Sequence, residues 1–303
     1  MNEDRPFLGI LLMLVFCVLA PLGDSVAKLL GGVVSLGVLV FARFAMQAVM
    51  LAPMVWANGQ SLRLPPGLLG VTLTRTVLHI LGIGLMFSAL RYLPLADALA
   101  IVFVMPFIML ILGHFFMGEE VGHHRMAACA VGFLGTLLVI QPNFVDVGLP
   151  ALLPLGVALA FALFMMVTRR VARALNPIRL QAVSGIQAVL IIGPLLVLLP
   201  VARGDFDFAL GLYGWGLVAA LGVIGTLAHL FMTWSLRFAP ASTLAPMQYL
   251  EIPVGTLLGW LIFRDLPNGL AALGICITIA AGLYVIVRER RLSQPPPDVP
   301  AAV

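Results

Sequence analysis

Ten apolar stretches, at 7–30, 33–56, 67–90, 95–117, 124–141, 149–168, 181–201, 210–235, 241–263 and 268–287, leave almost no polar sequence between them. Most are close to the about 20 residues that a helix needs to cross a bilayer's hydrocarbon core. Backbone N–H and C=O groups in hydrocarbon must find partners inside the protein, so only helices or closed barrels can span it. Continuous apolar runs without strict alternation exclude the barrel. Apolar residues make up 62% of the chain and charged residues 10%, against roughly 25% charged in an average soluble domain. Lipid is the solvent for such a surface, and 303 residues leave no room for a soluble domain.

The leader Met1 to Arg5 carries two acids and one base, and no small-x-small cleavage site follows the first apolar stretch. That span is expected to be retained. Ten spans put both termini on one side. Connections on that side hold Arg5, Arg63, Arg125, Arg169, Arg170, Arg173, Arg179, Arg237, Arg288, Arg290 and Arg291, whereas the other side has mainly Lys28, Arg91, Arg203 and Arg264. Arg43 and Arg75 lie too near span interiors to count, and are expected to snorkel toward helix ends. The positive-inside rule then places both termini in the cytoplasm. The net charge of +4 reflects that orientation and predicts no nucleic-acid partner. The Pro-rich segment 292–303 reads as a disordered cytoplasmic tail.

An internal echo constrains the topology further. Ala89-Leu90-Arg91-Tyr92-Leu93-Pro94 is answered by Ser235-Leu236-Arg237-Phe238-Ala239-Pro240, and each stretch runs into an apolar helix interrupted by proline, Pro106 or Pro253. Two copies with five spans each, 1–143 and 144–291, must insert in opposite senses because the number per half is odd. The expected fold is therefore all-α: a polytopic membrane protein with ten transmembrane helices as two inverted five-helix repeats around a central cavity. Pro106, Pro246 and Pro253 remove backbone donors and leave carbonyls that a cavity could use. The small-xxx-small step Gly255 to Gly259 predicts close helix packing within one monomer.

Ionisable groups inside a span cost at least about 2.5–3.5 kcal/mol on insertion scales, so they lead the candidates for a site. Glu251 sits mid-span beside Pro253 and could meet a substrate ammonium, carry a proton, or bond a neighbouring helix. Thr72, Thr76 and His79 form one polar stripe at helical spacing; Thr226, His229 and Thr233 form another. Both stripes should face inward, with His79 and His229 available to a carboxylate or to an interhelical bond. Asp24 and Lys28 stand at i and i+4 in the favourable order, which predicts a mutual ion pair or, alternatively, an outer gate. Asp97 could cap the fourth span. Phe103, Trp234, Gln248 and Tyr249 complete the expected substrate-binding set, the aromatic members as ring walls. Cys17, Cys129 and Cys276 fall in apolar spans without paired spacing, so neither disulfide nor metal site is expected.

The ten-span plan, the duplicated hairpin with its prolines, the Gly255 to Gly259 step and the acids Glu119 and Asp265 after each repeat's fourth span resemble the drug/metabolite transporter superfamily, in particular its EamA-type carriers. The resemblance covers roughly 7–287 and implies a secondary transporter in the bacterial inner membrane with no cofactor. It also implies a cavity built from the first, third, fourth, sixth, eighth and ninth spans. The similarity to bacterial exporters of aromatic amino acids implies export of amino acids with aromatic or apolar side chains by a monomer bathed in lipid. Relatives that move riboflavin or S-adenosylmethionine make a heterocyclic metabolite the alternative. A remote third reading is a membrane metal enzyme built on Glu119, Glu120, His123 and His124, whose spacing matches no HExxH pattern.

Overall fold

The computed structural model describes residues 5–105, 107–109, 111–112, 123–172, 174–199, 210–239, 244 and 247–292. Ten α-helices run through the described residues: α1 Pro6–Leu30, α2 Leu36–Ala57, α3 Leu68–Ala89, α4 Leu95–Val102, α5 His123–Val147, α6 Leu153–Ala172, α7 Pro177–Leu198, α8 Gly211–Phe238, α9 Glu251–Leu258 and α10 Gly269–Leu292. No strand occurs among these residues. Six helical stretches, α1, α2, α3, α7, α8 and Leu149–Ala172 (α6 with the 3-10 turn before it), are long and apolar enough to cross a membrane. The other four apolar stretches are shorter, at Leu95–Met109, Ala130–Ile140, Glu251–Phe263 and Gly269–Tyr284. Pro106, Pro246, Glu119 and Glu120, and the side chains of His123, His124 and Cys129, lie outside the described residues.

Local chemistry sets the helix starts. The Ser35 hydroxyl accepts from the Val38 N–H at 3.4 Å, and the Asn176 side chain accepts from the Ile178 N–H at 2.9 Å ahead of Pro177 at the first helical position. Such caps satisfy donors that a helix leaves orphaned at its N-terminus. Asp97 does not cap α4; its Oδ2 accepts from Asn143 Nδ2 on α5 at 3.0 Å. The first turn of α4 follows Pro94, so Asp97 is already inside the helix and its carboxylate reaches sideways to a neighbour instead.

The outside of the bundle is apolar and the inside carries the polar groups. Phe7, Val197, Leu198, Leu212 and Tyr213 are exposed, while Arg43, Gln47, Thr72, Arg75, Thr76, His79, Gln181, Thr226, His229 and Thr233 are buried. Water would select the reverse; lipid selects this. The chain is an integral membrane protein. Both threonine–histidine stripes face inward as their spacing requires.

Helix pairing has an internal regularity. α1 packs on α8 and α3 packs on α6, while α2 pairs with α7, α4 with α9 and α5 with α10. Exchanging the first five helices for the last five leaves this pattern unchanged. Helical hydrogen bonding is interrupted at Phe103–Val104 and again at Tyr249–Leu250, positions with the same separation as Arg91 and Arg237. Pro253 falls in the first turn of α9, where its missing N–H costs little. After α9 a π turn, Gly259–Phe263, ends at Arg264 with φ of 61°, which turns the chain toward α10.

Glycines lie at two close crossings. A Cβ on Gly255 would stand 2.1 Å from Leu99 Cδ1 where α9 meets α4, so the small-xxx-small step serves packing inside the monomer. On α10, a Cβ on Gly274 would stand 2.5 Å from the Gly135 carbonyl oxygen of α5. Gly274→Ala is therefore expected to lower the detergent-solubilised protein's stability by about 1–3 kcal/mol. Gly84→Ala, which meets nothing within 4 Å, should stay within about 0.5 kcal/mol of wild type in the same thermal melts.

Candidate substrate cavity

The walls of one cavity come from α1, α3, α4, α6, α8 and α9, with Arg43 reaching in from α2. It encloses about 660 Å³ of atom-free space when its open mouth is included. Three kinds of side chain meet there: the rings of Phe16, Phe87, Phe161 and His229, the carboxylates of Asp24 and Glu251, and the Arg43 guanidinium. On α1 the lining runs from Phe16 to Asp24 and on α3 from Gly82 to Phe87, so the cavity lies toward the C-terminal ends of both helices.

Arg43 does not snorkel. Its side chain is buried, donates from Nη1 to Gln47 Oε1 at 2.9 Å and from Nη2 to the Gly225 carbonyl at 2.7 Å, and lies 5.0 Å from the Phe44 ring centre. Gly225 makes room for it, since a Cβ there would stand 2.8 Å from Arg43 Nε. Arg75 is equally buried: Nε donates to Thr168 Oγ1 at 2.9 Å and Nη1 to Ser184 Oγ at 2.7 Å, with its charge 4.6 Å from the Phe164 ring centre. Both residues correct the snorkelling expectation. The signal was in their spacing: Arg43 has Gln47 one turn on, and Arg75 sits between Thr72, Thr76 and His79 in the inward stripe. An arginine on an inward face reaches helix neighbours before it reaches a membrane surface.

The Asp24–Lys28 pair predicted from the spacing is also replaced. Lys28 Nζ lies 3.2 Å from Asp265 Oδ2, donates to the Leu93 carbonyl at 3.1 Å, and stands 4.8 Å from the Phe263 ring centre. The physical reason is tertiary: Asp265 follows the π turn and arrives beside the end of α1, while Asp24, one turn earlier, faces the cavity and stands within electrostatic reach of Arg43 and Glu251. Lys28 thereby ties α1 to the α3–α4 and α9–α10 connections.

Of the other expected residues, His229 and Glu251 line the cavity. His79 is behind His229, with ring centres 4.3 Å apart, and is also flanked by Phe44 at 4.9 Å and Phe164 at 4.6 Å. Neither nitrogen of His79, nor Nδ1 of His229, has a hydrogen-bond partner among the described residues. Gln248 is buried beside Met165, its Nε2 3.7 Å from Sδ, and its Oε1 is likewise unpartnered. Phe103 and Tyr249 do not wall the cavity: their ring centres are 5.2 Å apart in a core cluster with Ile140, Ile252 and Ile275. Trp234 packs on Phe231 at 5.9 Å, near Leu51 and Val55. Cys17 donates to the Met247 carbonyl at 3.3 Å. No group of three or more His, Cys, Asp or Glu placed to hold a metal ion occurs among the described residues.

Buried charge without a countercharge is costly, and removing it can stabilise a protein. Arg75 has no acidic partner within bonding distance among the described residues, and its Nη2 is unpartnered. Arg75→Met should therefore raise the melting temperature, by about 1 kcal/mol or more in stability, because Thr168 and Ser184 are neutral and can bond to their own helix carbonyls. A fall in the melting temperature would show that its two hydroxyl bonds outweigh its desolvation.

Comparison with known proteins agrees with this architecture. A crystal structure with 19% sequence identity superposes with a TM-score of 0.66, over 95% of this chain and 98% of that one, and so shares its fold. A riboflavin transporter of Rhizobium johnstonii is 31% identical over 229 residues, which is 74% of this chain and 72% of that protein. An S-adenosylmethionine uptake transporter of Rickettsia prowazekii is 24% identical over 93% of this chain and 94% of its own length. The family model for EamA-like transporters matches residues 7–141 and again 148–288. With nearly its whole length matched in these two segments, the chain belongs to the EamA-like transporter family.

Proposed function

We propose that the protein is a secondary transporter that carries a small heterocyclic metabolite across the bacterial cytoplasmic membrane by alternating access. The observation that carries this reading is a cavity with aromatic and charged walls inside a bundle whose outer surface is apolar. A planar ring placed by Phe16 and Phe161 would gain area burial and favourable ring geometry, while Asp24, Arg43 and Glu251 supply polar recognition. Both named relatives carry metabolites with fused heterocycles. Export of amino acids has less support, since Phe103, Trp234 and Tyr249, offered for its side-chain pocket, pack elsewhere.

Alternating access follows if the chain is two inverted five-helix repeats, 1–143 and 144–291, with ten spans and a cavity between them. The exchange symmetry of helix pairing, the matched interruptions at Phe103–Val104 and Tyr249–Leu250, and the separate family match to each half support that plan. By the positive-inside rule the termini are cytoplasmic, and the cavity lies toward the external face, which carries Lys28, Arg91 and Arg264. The working unit is a monomer, and the carrier needs no cofactor.

Counterflow into proteoliposomes, with and without a proton gradient, tests the reading. Labelled riboflavin or S-adenosylmethionine should accumulate, and Glu251→Gln should cut the rate by about tenfold, equivalent to about 1.4 kcal/mol. Exchange restricted to phenylalanine or tryptophan would replace this reading with the amino-acid one.

A further inference from the structure

Resting on the transport reading, we infer that the cavity prefers organic cations to their neutral counterparts: molecules that join a planar ring to a permanent positive charge, the charge held by Asp24 and Glu251 and the ring against Phe16 and Phe161. The charge balance of the lining favours a cation. Its ionisable members are Asp24, Glu251, Arg43 and His229. Arg43 is the one permanent cation, and both its terminal nitrogens already donate, to Gln47 and to the Gly225 carbonyl. Neither carboxylate has a hydrogen-bond or ion-pair partner among the described residues, although Glu251 is only 8% exposed. A carboxylate so placed either takes up a proton or faces a countercharge, because the low-dielectric surroundings do not solvate it, and a cationic ligand would supply the second.

A second, independent observation points the same way. Lys28, which sequence spacing would give to Asp24, is held by Asp265 and the Leu93 carbonyl. The protein thus directs Lys28 away from the cavity, and Asp24 keeps no hydrogen-bond or ion-pair partner among the described residues. The aromatic walls complete the site. Phe16 and Phe161 are stacked with ring centres 6.4 Å apart, and His229 stands edge-on to Phe16 at 5.7 Å with its Nδ1 unpartnered. Ring faces attract cations, more strongly when water is excluded. An anion here would face two carboxylates beside a guanidinium that already gives one N–H from each terminal nitrogen, to Gln47 and to the Gly225 carbonyl.

The test is equilibrium dialysis of the purified full chain against N-methylquinolinium and against quinoline at neutral pH, where quinoline is uncharged. The two differ mainly in charge. The cation should bind at least about tenfold more tightly, and Asp24→Asn and Glu251→Gln should each reduce that preference. Asp265→Asn, which lies outside the cavity, should reduce it too by freeing Lys28 to neutralise Asp24. Equal binding of the two probes would overturn the inference, because it would mean that protonation of the carboxylates or their pairing with Arg43 suffices. A preference left intact in both cavity variants would overturn it as well. Cation preference without counterflow of any heterocycle would leave this inference standing and remove the transport reading; counterflow without cation preference would do the reverse.

Discussion

Hydrocarbon cannot hydrogen-bond, and the buried polar network of the described residues answers to that constraint. Gln47 donates to the Gln181 carbonyl at 2.7 Å, Gln181 donates to the His229 carbonyl and to Thr233 Oγ1, and Thr76 donates to Gln187. These bonds link α2, α7, α8 and α3 through side chains that would otherwise meet lipid. They also set the packing, because a helix turned to satisfy its glutamine presents its leucines and valines outward. The polar interior and the apolar exterior are one solution to one solvent.

Against that background the incompletely satisfied groups stand out. The unpartnered nitrogens of His79 and His229 and the carboxylates of Asp24 and Glu251 all lie in or against one cavity. Each such group costs free energy when dry, and a cavity that water or a ligand can enter lowers that cost. The Lys28–Asp265 bridge belongs to the same scheme. It closes connections at the end of the bundle nearest the cavity and decides which carboxylate remains free, so a contact outside the cavity sets the charge within it.

Much of the fold was legible in the sequence because the constraint is one-dimensional: about twenty apolar residues make a span wherever they occur. The inward faces of α3 and α8 were legible for a related reason, as Thr72–Thr76–His79 and Thr226–His229–Thr233 repeat at helical spacing. The aromatic members of the expected site were not. Phe103 and Tyr249 occupy the two helix interruptions and contact each other across the α4–α9 pairing, and nothing in their local sequence separates a core ring from a cavity ring. Arg43 and Arg75 were readable from their neighbours, but distance from the helix end pointed the other way.

The sequence by itself determined an apolar helical bundle and the few ionisable residues that a membrane makes expensive, because solvent and helical period act locally along the chain. Only the tertiary structure decided which of those residues share a cavity, which rings wall it, and that Lys28 belongs to Asp265 and not to Asp24. Those choices depend on residues far apart in sequence arriving at the same point, where a carboxylate beyond a π turn can capture a lysine more effectively than one a single turn away.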